Sequence, residues 1–307
     1  MIKRTIFIGS PSYISATNNL LVIKELDPLS KEKKEEEETI SIEDIGVIIL
    51  EHRRITITSY ALELLLDNNS SVITCDSKMM PNGLLLPLSK NTIQNERFTD
   101  QINASLPLKK QLWQQTISAK INNQSAVLNY ATAEMHNNMS IWANSVKSGD
   151  PDNLEGRASA YYWKNLFSKI DSFVRGQYEA SPNNLLNYGY AILRAIISRA
   201  LVSSGMLPTL GIHHHNRYNA FCLADDIMEP YRPYIDKIVF DICSENDNWS
   251  PELTKENKMR LLQIPTETVI INGKRSPLQI AASTTTASLY RCFSGENRKI
   301  SYPVMNE

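Results

Sequence analysis

Cysteine is scarce. The 307 residues include four, Cys75, Cys222, Cys243 and Cys292, far apart and without the Cys-x-x-Cys spacing of a zinc or redox motif. That argues against a disulfide framework and a cysteine zinc site, and favours reduced, buried thiols in a cytoplasmic protein. Long apolar runs are missing too: no stretch approaches the roughly 18–20 residues a membrane span needs, so no membrane partner is expected. The opening Met1-Ile2-Lys3-Arg4-Thr5-Ile6-Phe7-Ile8 is interrupted too soon for a signal peptide and reads as a β-strand. No sign of charge dominates: the net charge is −1, the first hundred residues being acidic and the remainder slightly basic. This leaves nucleic-acid binding open, because counterion release depends on the Lys and Arg that face phosphate and not on the total. There is no internal repeat, and the one biased segment is Lys31-Glu32-Lys33-Lys34 followed by four glutamates.

Hydrophobic residues, 42% of the chain, suffice for a substantial core, and the length suits two domains. Short β-branched runs separated by polar turns predict strands over Thr5–Gly9, Leu20–Lys24, Thr39–Ser41, Val47–Leu50, Ser71–Cys75 and Gly83–Leu86. A helix is expected over Ser59–Asp67, and the charged run between Asp27 and Glu38 reads as an exposed, mobile hairpin loop. After residue 98 the apolar spacing turns helical. Leu112, Trp113, Ile117, Ile121, Leu128 and Ala131 predict a helix reaching about Val146, where Gly149-Asp150-Pro151 stops it. Further helices are expected over Gly156–Phe167, Pro182–Ser203, Leu223–Glu229, Arg232–Cys243 and Lys255–Leu262. The tail after Ala281 carries no readable motif. The fold class is α+β: a small β-rich domain over 1–98, then a larger all-α domain over 99–307 that carries the chemistry.

Three segments of the helical half hold candidate chemistry. In Asn153-Leu154-Glu155-Gly156-Arg157-Ala158-Ser159-Ala160 a glutamate opens a helix whose small residues permit a close neighbour. A carboxylate there is equally explained by the helix dipole. In Gly211-Ile212-His213-His214-His215-Asn216 stand three of the five histidines. In extended chain His213 and His215 point away from His214, so one ligand with two neighbours in other roles suits the segment better than a three-histidine zinc site. In Asp225-Asp226-Ile227-Met228-Glu229-Pro230-Tyr231-Arg232 the carboxylates of Asp226 and Glu229 share a helix face. They call for a cation, which Arg232 alone would also satisfy, while Asp225 suits a helix N-cap. Carboxylates with one imidazole suit Mg²⁺ or Mn²⁺, ions that serve phosphoryl transfer.

The order of these motifs resembles the CRISPR-associated integrase family that inserts new spacers, most closely the version accompanying single-protein (type II) RNA-guided effector nucleases. The resemblance rests on Glu-Gly-x-Ala-x-Ala-x-Tyr, then Gly-x-x-Pro-x-x-Gly-x-x-His, then Asp-x-x-Glu-Pro-x-Arg-Pro. It is supported by Leu112-Trp113-Gln114-Gln115, Lys120-Ile121-x-Asn123-Gln124 and Asn184-x-x-Asn187-Tyr188-Gly189-Tyr190. It covers about residues 105–240 by motif and the first half by domain order. It implies Glu155, His214 and Glu229 as catalytic metal ligands for Mg²⁺ or Mn²⁺, with Asp226 as supporting acid. His213 is the next choice of histidine, and glutamate stands at 229 where many relatives have aspartate.

The implied reaction is transesterification, the 3′-hydroxyl of a captured double-stranded DNA fragment attacking the CRISPR repeat. Lys120, Arg157 and Arg232 are candidate phosphate contacts, and Tyr161, Tyr162 and Trp163 are either DNA-stacking or core aromatics. The implied partners are DNA, a second copy of the chain joined through the β domain, and a small second adaptation protein completing a heterohexamer. The competing readings are a stand-alone metal-dependent nuclease on branched DNA, a non-catalytic DNA-binding scaffold, and a zinc protein using His213–His215.

Overall fold

The structure, a computed structural model, describes residues 3–26, 33–88, 91–176, 179–245 and 249–305. The chain divides into two compact units, Met1–Thr92 and Ile93–Glu307.

The first unit is built on strands β1 (Arg4–Ile8), β2 (Ser12–Thr17), β3 (Leu20–Leu26), β4 (Lys33–Ser41), β5 (Ile45–Leu50) and β6 (Ile55–Ile57). Helix α1 (Ser59–Asp67), β7 (Ser71–Cys75) and β8 (Pro81–Leu85) follow. One sheet has the order β1-β5-β7-β8 and the other β4-β3-β2-β6. Strand β5, Ile-Gly-Val-Ile-Ile-Leu, pairs in parallel with both neighbours and is buried along nearly its whole length. That is why it reads as a continuous apolar run without alternation. Ile14, Leu21, Ile40, Ile45, Ile48 and Leu65 centre the core, and Thr58 caps α1 by accepting from the Ala61 amide at 3.2 Å.

The charged run departs from its sequence reading. Residues 27–32 lie outside the described ones, but Lys33–Ser41 is a strand paired antiparallel with β3, not a loop. Pairing prevails over the poor strand preference of glutamate. At a sheet edge the charge is useful, because it discourages a further chain from pairing there. Lys24, directly opposite Glu37, lies 2.7 Å from its carboxylate. Strands β2 and β6, which sequence reading missed, are short and half-polar.

The second unit begins at α2 (Gln94–Asn103), so the boundary read after residue 98 falls inside this helix. Helix α2 belongs to the helical unit because buried Gln101 donates to the carbonyls of Leu207 and Leu210 and accepts from the Leu207 amide. Then come α3 (Leu106–Thr132), α4 (Asn137–Ser145), α5 (Leu154–Leu166), α6 (Asn183–Ser203), α7 (Cys222–Met228), α8 (Arg232–Glu245) and α9 (Lys255–Leu261). The hairpin β9 (Thr268–Ile271) and β10 (Lys274–Pro277) precedes α10 (Leu278–Phe293). The single helix expected to reach Val146 is two, since α3 stops at Ala133 with φ 55°. The tail lacking a motif supplies most of α10, a core helix against α6, and the hairpin lies just ahead of it, so the second unit is helical with one small hairpin among the described residues.

Helix α6 corrects the reading that no segment is apolar enough to span a membrane. By length and composition it qualifies, yet most of it is buried inside the protein. It is the helix around which α7, α8 and α10 pack, which is where a largely apolar helix belongs. The cysteines are free thiols, three of them buried.

Candidate active site

Glu155 is placed by the way α5 begins. Asp150 accepts from the amides of Leu154 and Glu155, each at 2.9 Å, and the N-cap Asn153 accepts from Gly156 at 3.2 Å. A Cβ at position 156 would stand 2.7 Å from the Asn153 side chain, so glycine is what lets this cap close. The capped end aims Glu155 at α3, where Lys120 donates to Glu155 Oε1 at 2.7 Å.

Lys120 projects from the middle of α3 and is only 7% exposed. Its Nζ also lies 2.7 Å from Glu229 Oε2, yet that oxygen is buried without a properly directed hydrogen bond. The contact is a close ion pair whose donor is poorly aligned with that oxygen. Glu229 opens the single turn Glu229–Tyr231 after α7, and its Oε1 meets Arg232 at 3.1 Å. Asn123, one turn along α3 from Lys120, donates to the Pro230 carbonyl at 2.7 Å and so fixes that turn against α3. Burial pushes the Glu229 carboxyl up, but the Arg232 and Lys120 charges outweigh it and hold the group ionised, below its ordinary value. Burial likewise opposes charge on Lys120, and Glu229 with Glu155 outweighs it.

The histidine loop is organised by Asp226, which is fully buried. Its carboxylate accepts from the amides of Ile212 at 2.7 Å, His213 at 2.9 Å and His214 at 3.2 Å, and its Oδ1 lies 2.5 Å from His214 Nδ1. Asp226 and Glu229 therefore serve different partners, although their spacing suggested a shared one. A Cβ at Gly211 would come within 2.4 Å of the His214 carbonyl and 2.7 Å of Asp226 Oδ2. The three histidines separate physically. His213 stacks flat on Trp113, centroids 4.1 Å apart, and burial followed by the nearby His214 lowers its pKa. His214 lies edge-on to the same indole, and its bond to Asp226 raises its pKa despite partial burial. His215 is exposed. With Nδ1 engaged, His214 keeps Nε2 as the nitrogen with a free lone pair, the arrangement by which carboxylates prepare metal-binding imidazoles.

Behind Arg232 lies a buried support. Tyr190 stands between the guanidinium groups of Arg232 and Arg175, 5.0 and 5.1 Å from its ring centre. Its hydroxyl donates to Asp236, as does that of Tyr162 at 3.0 Å. Tyr162 is therefore core, and Tyr161 is hydrogen-bonded to His136. Of the candidate phosphate contacts, Arg157 lies over Trp142 at 4.8 Å; Lys120 is interior, and Arg232 is ion-paired with Glu229. Asp225 does not cap α7, which begins after Phe221; it binds Arg194 and Asn219. Asn123, Gln101 and Trp113 act on the site without having been singled out as site residues. Asn123 and Trp113 lie in the quoted motif stretches; no local signal marks Gln101.

No three His, Cys, Asp or Glu side chains among the described residues converge tightly enough to enclose an ion as they stand. The donor chemistry nevertheless fits one. Two carboxylates already share a cation, and Glu229 Oε2 is a buried acceptor lacking a directed donor.

The family model described as "CRISPR associated protein Cas1" matches residues 6–270. The chain is 38% identical over 229 residues to the CRISPR-associated endonuclease Cas1 of Neisseria meningitidis serogroup C (strain 8013), covering 74% of each chain. It is 30% identical over 246 residues to a CRISPR-associated endonuclease Cas1 of Saccharolobus solfataricus, covering 76% of this chain and 73% of the relative. Among solved structures, a casposase bound to its integration product superposes with a TM-score of 0.79 at 20% identity, covering 97% of this chain and 92% of that one. A Cas1 protein from Thermotoga maritima gives 0.75 at 14% identity, covering 99% and 100%. Both structures share the fold described here.

Proposed function

The chain belongs to the CRISPR-associated Cas1 family, and we propose that it is a metal-dependent DNA integrase of CRISPR adaptation. The observation that carries the reading is the ion-paired set of buried Lys120 and Glu229 with half-buried Glu155 and Arg232, beside a loop that Asp226 holds so that His214 presents Nε2. Glu155, His214 and Glu229 would hold Mg²⁺ or Mn²⁺, which when bound lowers the charge on a phosphate and favours ionised oxygen at the reacting centre. The chain's own residues do the rest. Asp226 fixes the imidazole, Arg232 keeps Glu229 ionised and in place, and Asn123 holds the Glu229 turn on α3.

In the proposed reaction a 3′-hydroxyl of a captured fragment attacks a phosphodiester at the edge of the CRISPR repeat. The new 3′ O–P bond forms as the repeat strand's P–O bond breaks. The hydroxyl gives up its proton and the leaving oxygen ends as a new 3′-hydroxyl, so no external energy source is needed. Water in place of that hydroxyl gives cleavage. The partners proposed are double-stranded DNA, a second copy joined through the strand-rich unit, and a small second adaptation protein. Similarity to chains of a Cas6-RT-Cas1–Cas2 complex (TM-score 0.73, 18% identity) supports the last.

The test is strand transfer of a short duplex with free 3′ ends into a supercoiled plasmid carrying a repeat, with the small partner and Mn²⁺ or Mg²⁺. Joined products that vanish in Glu155→Gln, His214→Ala and Glu229→Gln are expected. Cleavage without joining, abolished by the same substitutions, would replace this reading by the stand-alone nuclease.

A further inference from the structure

Lys120 raises a question that the proposed metal site leaves open, because the place between the two carboxylates already holds a positive group. Glu155 and Glu229 bring two negative charges, and Lys120 and Arg232 bring two positive ones. The cluster is neutral as it stands, and a divalent ion added to it would leave two uncompensated positive charges in a largely buried place, which is costly. The two resident cations are not equivalent. Arg232 is the more confined, its guanidinium 3.1 Å from Glu229 and lying against the Tyr190 ring, which Asp236 holds in turn. Lys120 makes one well-directed hydrogen bond, to Glu155, and meets Glu229 in a close but poorly aligned ion pair at 2.7 Å. An ammonium on a flexible four-carbon stem can swing out of such a place as a divalent ion takes over its charge, whereas a planar fork held on two sides is less free to move.

We infer that Lys120 is an exchangeable internal cation, which neutralises Glu155 and Glu229 in the free protein and must withdraw from between them for a divalent ion to bind. The inference rests on the proposed metal site. Lys120 then competes with the ion, so divalent affinity in the free protein lies below what the ligand set alone would give. A DNA phosphate that attracts the released ammonium strengthens ion binding, and by reciprocity the ion strengthens DNA binding.

Mn²⁺ is the probe, its binding followed by calorimetry and by the electron paramagnetic resonance of free Mn²⁺, on the full chain without DNA. Lys120→Met, close in length but uncharged, is expected to bind Mn²⁺ at least tenfold more tightly than the wild type. Its melting temperature should fall in EDTA and recover more on adding Mn²⁺ than that of the wild type. Lys147→Met, which removes an exposed charge paired only with Asp152, is the control and should leave Mn²⁺ affinity within twofold. Should Lys120→Met fail to fold in EDTA, Lys120→Gln refolded with Mn²⁺ serves for the same titration. Affinity in either variant equal to or weaker than wild type overturns the inference, as does an equal gain in Lys147→Met. Absence of strand transfer by the wild type, with the tenfold gain in Lys120→Met intact, would fault the integrase reading and leave the cation exchange standing. Absence of Mn²⁺ binding in wild type and variants alike would remove both.

Discussion

His214 Nδ1 lies 2.5 Å from the Oδ1 oxygen of Asp226, a carboxylate whose other bonds are all to backbone amides of the same loop. One buried acid thus sets the path of the chain from Ile212 to His214 and the direction of the imidazole. Its position in sequence, three before Glu229, suggests a second ligand; its bonds make it a positioning residue.

Asp226→Asn tests that role. The amide keeps one acceptor oxygen where the carboxylate has two, so buried amides of the loop lose partners, at a cost of about 2–4 kcal/mol. Strand transfer is expected to fall about 10- to 100-fold, as when the carboxylate behind a metal-binding histidine is lost. Urea denaturation beside the strand-transfer assay checks both, and a variant as stable as wild type would show that the loop holds itself.

The neighbouring histidines make an internal comparison. His213→Ala loses the stack on Trp113, worth about 0.5–1.5 kcal/mol, and should keep strand transfer within a few-fold of wild type. His214→Ala should abolish it with little change in melting temperature. The reverse pattern would assign the chemistry to His213.

Gly211→Ala places a methyl group 2.4 Å from the His214 carbonyl and 2.7 Å from Asp226 Oδ2, neither of which can retreat. A cost of about 1–3 kcal/mol is expected, with activity falling further than stability because the displaced group is His214. Gly156→Ala meets only the Asn153 cap and should cost about 1 kcal/mol. Thermal melts of both variants, read beside strand transfer, separate the two effects.

The strands with β-branched runs, α1, the start of α3 and helices α5 to α9 were legible because apolar spacing is a direct consequence of which face is buried. The fold class follows from that pattern, and it is the one observed. Lys33–Glu38 was not legible as strand, since only pairing with β3 makes glutamates extended there. Nor was α10, whose Thr- and Ser-rich face packs on α6 through hydroxyl bonds such as Thr286 to the Ala200 carbonyl, so polar residues stand where an apolar stripe was sought. Within the site, motif reading marked Glu155, the histidine cluster and the Asp226–Glu229 pair as candidates, and the family resemblance singled out Glu155, His214 and Glu229 among them. Neither could show that Lys120 is interior, because a lysine buried by partners far along the chain has no local signature. The same holds for Asn123 and Gln101, whose bonds reach across more than a hundred residues.

Asp236 gives the site's support a pH signature. Burial pushes its carboxyl up to about 6 from an ordinary value of 3.8, against the opposing hydrogen bonds of Tyr190 and Tyr162. A group whose pKa is raised on folding stabilises the fold in its protonated state. That contribution is complete below about pH 4 and is lost as pH rises through about 6, amounting to about 3 kcal/mol. Other carboxyls act in the opposite sense, Glu229 among them, so the useful quantity is the difference between wild type and Asp236→Asn. The asparagine does not titrate, and the variant should gain on wild type from about pH 4 to about pH 6 and level off above that in urea denaturation. A difference that stays flat across that range would mean that Asp236 remains ionised throughout, held so by Arg175 and Arg232. Arg232 would then owe its place against Tyr190 to direct attraction by that carboxylate, and Asp236→Asn would loosen Arg232 and Glu229 at every pH.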